Sequence, residues 1–228
     1  MDITLHYIEE GTGTPLLLLH GNGEDGTYFK HQLAYFSKKY RVIAVDTRGH
    51  GQSPRGAAPF TISQFAEDLN AFLEQRDISK AVILGFSDGA NIAMRCARKQ
   101  QEKVEALILN GGNLNARGVK ASVQIPIELG YRMTKLFSRI SEKARKNHEM
   151  LALMVDDPNI EPSELKEIHV PTLVIAGTED MIKEEHTKLL AAEIPGAELK
   201  FVKGGHFVAA KASEEFNAAV DLFLERVL

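Results

Sequence analysis

The chain has 228 residues, 44% of them hydrophobic and 25% charged, with 27 lysines and arginines against 31 acids and a net charge of -4. That length fits one domain able to bury a sizeable core, and the ordinary globular composition excludes a disordered or fibrous architecture. No basic stripe with interleaved aromatics runs through it, so nucleic acid is not expected as a partner. The first six residues lack the charged and apolar regions of a secretory signal, and no segment reaches membrane-spanning length. A cytoplasmic protein with no membrane partner is therefore expected, and nothing in the sequence sets its oligomeric state. The single cysteine, Cys96, forms no internal disulfide and reads as a small packed side chain.

In chain order, residues 3–8 read as an antiparallel edge strand. Residues 16–19 form a short apolar run ending in His20-Gly21-Asn22-Gly23, a glycine-rich loop. The next run, 42–45, leads into Asp46-Thr47-Arg48-Gly49-His50-Gly51-Gln52-Ser53. Phe65, Leu69, Phe72 and Leu73 then fall on one helical stripe, with Thr61 and Gln64 spaced as a capping box. Residues 81–84 are apolar and pass through Gly85-Phe86-Ser87-Asp88-Gly89 into a helical segment, which places a serine at an abrupt strand-to-helix turn. After the run at 106–109 the alternation stops. From about 114 to 168 the sequence reads as two or three helices broken by Pro126, Pro158 and Pro162. Alternation resumes at 172–176, which ends in Gly177-Thr178-Glu179-Asp180, and at 199–202, which is followed by Gly204-Gly205-His206. A last helix begins after Ser213 and carries Phe216, Val220, Phe223 and Leu224 on one stripe.

Short apolar runs separated by helical patterns predict an α/β fold with a mostly parallel twisted sheet and helices on both faces. Strands covered on both faces are expected to be apolar throughout.

A serine hydroxyl is a weak nucleophile at neutral pH, so its placement at the turn calls for a base. His206 suits that role, since an imidazole both accepts and returns a proton near neutrality. Asp180 would orient the other ring nitrogen, with Glu179 as the adjacent competitor. Ser87, Asp180 and His206 occur in that order at separate strand ends, and the arrangement resembles the α/β-hydrolase superfamily over nearly the whole chain.

The resemblance implies an α/β-hydrolase fold with a small helical lid at about 114–168. It further implies a serine hydrolase that cleaves a small or medium carboxylic ester through an acyl-enzyme on Ser87, the backbone N–H groups of Asn22 and Asp88 receiving the oxyanion. Amidase, thioesterase, lactonase and carbon–carbon bond hydrolase chemistry stay open on the same triad, as does a ligand-binding receptor on a hydrolase scaffold. The string around Ser87 is also similar to the Gly-Trp-Ser-Asp-Gly of valacyclovir-hydrolase-like members, which implies recognition of a substrate amino group by the Asp88 side chain. The turn after Asp46 resembles a structural motif of the superfamily, so His50, like His20, is expected to brace loops.

Phe86, Phe29, Tyr131, Met133, Leu136 and Phe137 are the expected pocket walls, although the same residues equally describe helices packed on a core. The histidines and acids lack metal-ligand spacing, and the glycine loop lacks a dinucleotide fingerprint. A small-molecule substrate and no cofactor are expected.

Overall fold

A computed structural model describes residues 2–228. Its elements follow the chain as β1 (Tyr7–Glu10), β2 (Pro15–Leu19), α1 (Lys30–Phe36), β3 (Arg41–Val45), α2 (Ile62–Gln75), β4 (Ala81–Phe86), α3 (Asp88–Lys99) and β5 (Val104–Asn110). A helical insertion follows, made of α4 (Ala121–Phe137), α5 (Glu142–Val155) and the short α6 (Pro162–Leu165). The chain then closes with β6 (Thr172–Gly177), α7 (Glu184–Glu193), β7 (Glu198–Val202), the short α8 (Val208–Lys211) and α9 (Ser213–Val227).

The strands form a single seven-stranded sheet in the order β1-β3-β2-β4-β5-β6-β7, parallel except for β1 against β3. Side chains alternate across the pleat, so Leu17, Leu19, Ile43 and Ile83 join one core beneath α2, α3 and α7. Leu16, Leu18, Val42 and Leu84 join the other, with Phe36 of α1 and Phe216, Val220, Phe223 and Leu224 of α9. The strands between the edges therefore have no polar face.

Four departures from the sequence reading stand out. The edge strand starts at Tyr7, not at residue 3, because the chain before it is held by a loop: His6 donates its N–H to Ser53 Oγ at 2.8 Å, and its carbonyl accepts from the Asp46 N–H at 2.9 Å. The β7 strand is largely exposed, since it is the other edge and is covered on fewer sides. Only half of the capping box forms at α2. Thr61 Oγ1 accepts from the Gln64 N–H at 3.2 Å, but the Gln64 side chain turns to Asp68 instead. The prolines of the insertion also act unequally. Pro162 opens α6, whereas Pro126 is exposed inside α4 and the helix runs on through it to Phe137.

Because β2 and β4 are neighbours and their connections leave in opposite directions, a crevice opens at their carboxyl ends. Every loop singled out by the sequence motifs leaves the sheet at this same end.

Candidate active site

Ser87 follows β4 directly and has φ 53° and ψ -118°, a strained conformation for a side-chain-bearing residue. Close backbone approach on both sides holds it there. A Cβ on Gly85 would collide with the Gly89 carbonyl, and one on Gly89 would collide with the Leu19 carbonyl of β2. The Ser87 N–H donates to the Asn110 carbonyl at 2.8 Å, which ties the turn to the end of β5. Ser87 itself is partly exposed, at the amino end of α3 where the helix dipole favours negative charge.

The loop after β2 packs against this turn. His20 is buried, with Nδ1 2.7 Å from the Gly21 carbonyl and Nε2 accepting the Thr47 N–H at 3.0 Å. His50 Nδ1 lies 3.0 Å from the Arg48 carbonyl, so both histidines brace loops, and burial lowers the pKa of each, that of His50 to about 4. The Asp46 carboxylate gathers the N–H groups of Gly26 at 2.7 Å and Gln52 at 2.9 Å. A Cβ on Gly21 would lie 3.1 Å from the Phe86 ring and from Ser87 Cβ, which shows how closely the loop approaches the serine. Among the described residues, neither the Asn22 nor the Asp88 backbone N–H has a hydrogen-bond acceptor.

His206 and Asp180 reach this place from the ends of β7 and β6. His206 Nδ1 lies 2.7 Å from Asp180 Oδ1, with both side chains buried. Burial alone would raise the Asp180 pKa, but hydrogen bonds from His206 and from the N–H groups of Ile182 and Gly177 outweigh it and hold the carboxyl below its usual value. Glu179 is exposed and makes no such contact. With Nδ1–H given to the carboxylate, Nε2 carries the lone pair, and it is buried without a hydrogen-bond partner among the described residues. The bond between this nitrogen and the Ser87 hydroxyl is thus not made in this conformation.

Room for the imidazole depends on Gly111, just past β5 with φ 62°. A Cβ there would lie 2.8 Å from His206 Cε1.

Aromatic rings enclose the histidine. Phe86 is 4.8 Å from it between ring centroids and stacks on Tyr28 at 4.5 Å, while the half-exposed Phe207 lies 5.5 Å from His206. Tyr28, whose hydroxyl is buried without a partner, and Phe207 were not picked out in the sequence, since nothing local distinguishes them from core aromatics.

Two further acids border the site. Burial, reinforced by the Asp157 charge, pushes the Asp88 carboxyl up to about 7 against a hydrogen bond from Asn22, and Asp88 Oδ2 has no partner. Burial likewise pushes Glu24 up to about 7, opposed by the Gly21 N–H 3.3 Å from its Oε2 and by His206. Glu24 stands beside the glycine loop in the sequence, and its acidity within that loop was the available signal.

The expected pocket walls divide. Phe86 borders the histidine, but Phe29 is fully buried in the core on the α1 and α9 side of the sheet. Tyr131 donates its hydroxyl to Asp156 at 2.6 Å and stacks on His148. Met133 and Phe137 line a 440 Å³ groove with Ile140, Lys143 and Ala144, between α4 and the start of α5, and Leu136 is exposed. The physical reason is that α4 packs chiefly on α5 and leaves its apolar stripe uncovered, Gln124 being its one buried residue. The insertion instead reaches the glycine-rich loop after β2 through α5: Asn22 Nδ2 donates to the Met150 carbonyl at 2.7 Å, and the Met150 methyl would lie 3.8 Å from a Cβ on Gly23.

A family model described as the alpha/beta hydrolase fold matches residues 14–128. The 3-oxoadipate enol-lactonase 2 of Acinetobacter baylyi is 24% identical over 253 residues, covering 99% of this chain and 94% of its own. Among solved structures, the enol-lactonase from Burkholderia xenovorans superposes with a TM-score of 0.82 at 23% identity over 98% of this chain and 97% of that one. Est816, described as an N-acyl homoserine lactone degrading enzyme, superposes with a TM-score of 0.80 at 26% identity over 97% of each chain. With a mostly parallel sheet, a strained serine turn after β4 and a family match across half its length, the chain belongs to the α/β-hydrolase family and has its fold.

Proposed function

We propose that the protein is a serine hydrolase that transfers an acyl group from a small or medium carboxylic ester to water. The observation that carries this reading is the buried 2.7 Å contact between His206 and Asp180, which leaves Nε2 as the basic nitrogen at the end of the sheet that holds Ser87. On substrate binding, Nε2 takes the Ser87 proton as Oγ bonds to the carbonyl carbon, and the carbonyl electrons move onto oxygen. The N–H groups of Asn22 and Asp88 receive that negative charge, assisted by the α3 dipole. Each such donor is typically worth about 3 kcal/mol in the transition state. The tetrahedral adduct then collapses, the ester oxygen leaves with the proton from His206, and a water molecule repeats the sequence to release the acid. Asp180 keeps the ring oriented and stabilises the imidazolium. Catalytic hydrogen bonds often tighten only when substrate is bound, so an unmade serine–histidine bond is compatible with this role.

Residues 114–168 act as the lid in this scheme, with Met150 above the oxyanion loop. A lactone is a cyclic ester cleaved by the same steps, and the names of the Acinetobacter and Est816 relatives favour lactones within the class. Asp88 supports a second substrate feature, a cationic amino group, because its carboxyl is buried with Oδ2 unpartnered. Asp88→Asn should then narrow any preference for amino-acid esters over neutral esters, and an unchanged preference removes that feature.

A panel of activated esters, lactones, amides and thioesters, run on wild type, Ser87→Ala and His206→Ala, tests the main reading. Multiple turnover of esters or lactones that both variants abolish is expected, with losses that do not add when the variants are combined. Failure to turn over any member, together with resistance to a serine-directed phosphonate, would refute it and leave a binding protein.

A further inference from the structure

One face of the insertion is apolar and exposed. Ile125, Leu129, Met133, Leu136 and Phe137 of α4 fall within an arc of about 120° at 100° per residue, and all are exposed. Leu136 is 72% exposed, and Ile140, in the turn that follows, is 82% exposed. The 440 Å³ groove between α4 and α5 continues this surface. Contiguous apolar patches of this kind are uncommon on soluble proteins unless something covers them.

The charge around the stripe is equally uneven. Between residues 117 and 146 eight lysines and arginines stand against two glutamates, an excess of six positive charges in a chain whose net charge is -4. Several cations elsewhere, among them Arg41, Arg48, Arg55, Arg98 and Lys99, are held in ion pairs, while others such as Lys30, Lys38 and Lys200 are not, among the described residues. Among the described residues, Arg132, Lys135, Arg139, Lys143 and Arg145 form none. Arg132, Lys135, Arg139 and His148 also line a concavity of 580 Å³ beside the apolar stripe. The corner therefore offers an apolar strip with unpaired cations along its rim.

We propose that this α4–α5 corner is a docking surface for an anionic lipid bilayer. The helix α4 would lie in the plane of the interface, with Leu136, Phe137 and Ile140 among the acyl chains and Arg132, Arg139 and Lys143 against lipid phosphates. A helix lying flat needs no spanning length, and none of the described helices is long and apolar enough to cross a membrane. A second copy of the chain suits the face less well, since a two-fold contact sets two such positive clusters against each other. The surface is independent of the proposed chemistry at Ser87, so its test needs no turnover.

The full chain is sedimented with vesicles of phosphatidylcholine alone and of phosphatidylcholine with phosphatidylglycerol, at low and high salt. Binding to the anionic vesicles that weakens as salt rises is expected, with little binding to the neutral ones. Combined Arg132→Gln, Arg139→Gln and Lys143→Gln should weaken it roughly 100-fold, taking about fivefold per cation. Leu136→Asp with Ile140→Asp should also release the protein, while both variants, altered only at exposed positions, melt like wild type. The proposal is overturned if anionic vesicles are not bound or if both variants keep wild-type binding. It is equally overturned by a concentration-dependent dimer that Leu136→Asp dissociates without any vesicle binding, which would assign the face to a second copy.

Discussion

Asp88→Asn is a sharp test of how the fold treats charge beside Ser87. Burial, with the Asp157 charge, raises the Asp88 carboxyl from 3.8 to about 7, so the folded protein binds a proton that the unfolded chain has already released. For a raised carboxyl the associated stability is complete below the unfolded pKa and is lost as pH climbs through the folded one. At 1.36 kcal/mol per pH unit the whole displacement amounts to roughly 4 kcal/mol, of which about 2–3 kcal/mol is lost between pH 5 and 8. Asparagine keeps the size and the backbone N–H but has nothing to ionise. Urea denaturation of wild type and variant at both pH values measures the effect. The stability difference should move by about 2–3 kcal/mol in favour of the variant on going from pH 5 to 8, an upper estimate because water penetration softens buried charge. Glu24, which titrates in the same range, is present in both proteins and cancels in the comparison. A difference that stays constant across that interval would refute the account of Asp88 as a buried acid forced to ionise.

Asp180→Asn should lower kcat/KM about 10³- to 10⁴-fold in an ester assay, whereas the exposed Glu179→Gln should leave it unchanged; equal effects would reassign the orienting acid. Gly89→Ala drives a Cβ into the Leu19 carbonyl and should cost about 2–3 kcal/mol or prevent folding, so a wild-type melting temperature would contradict the close approach of β2 and α3. Arg48 is fully buried, 2.7 Å from Asp68 and 2.6 Å from Asp2. Its replacement by methionine strands the Asp68 charge and should cost about 3–5 kcal/mol in urea denaturation, much of it recovered when Asp68→Leu is added.

The sheet was legible because each central strand is an unbroken apolar run, a pattern dictated by burial on both faces. The serine, acid and histidine were legible for a related reason: each stands at a strand end beside glycines that a sharp turn or close backbone approach requires, and those signals are local. Gly111 carries no such local signal, because its role in making space for His206 depends on a ring that arrives from 95 residues farther along the chain. The walls were misread where α4 was concerned, since an amphipathic sequence records that one face is apolar but not which way the helix is rolled. Packing against α5 leaves Met133 and Phe137 lining an exposed groove and brings Met150 to the loop after β2.

The amino-acid sequence alone determined the class of fold and the order in which Ser87, Asp180 and His206 meet the end of the sheet, because strand periodicity and turn chemistry act over a few residues. Only the tertiary structure decided that Asp88 and Glu24 are buried with carboxyls raised to about 7, and that the apolar stripe of α4 is left exposed. Each of these depends on burial and distance between segments remote in the chain, and neither quantity exists until the segments have packed.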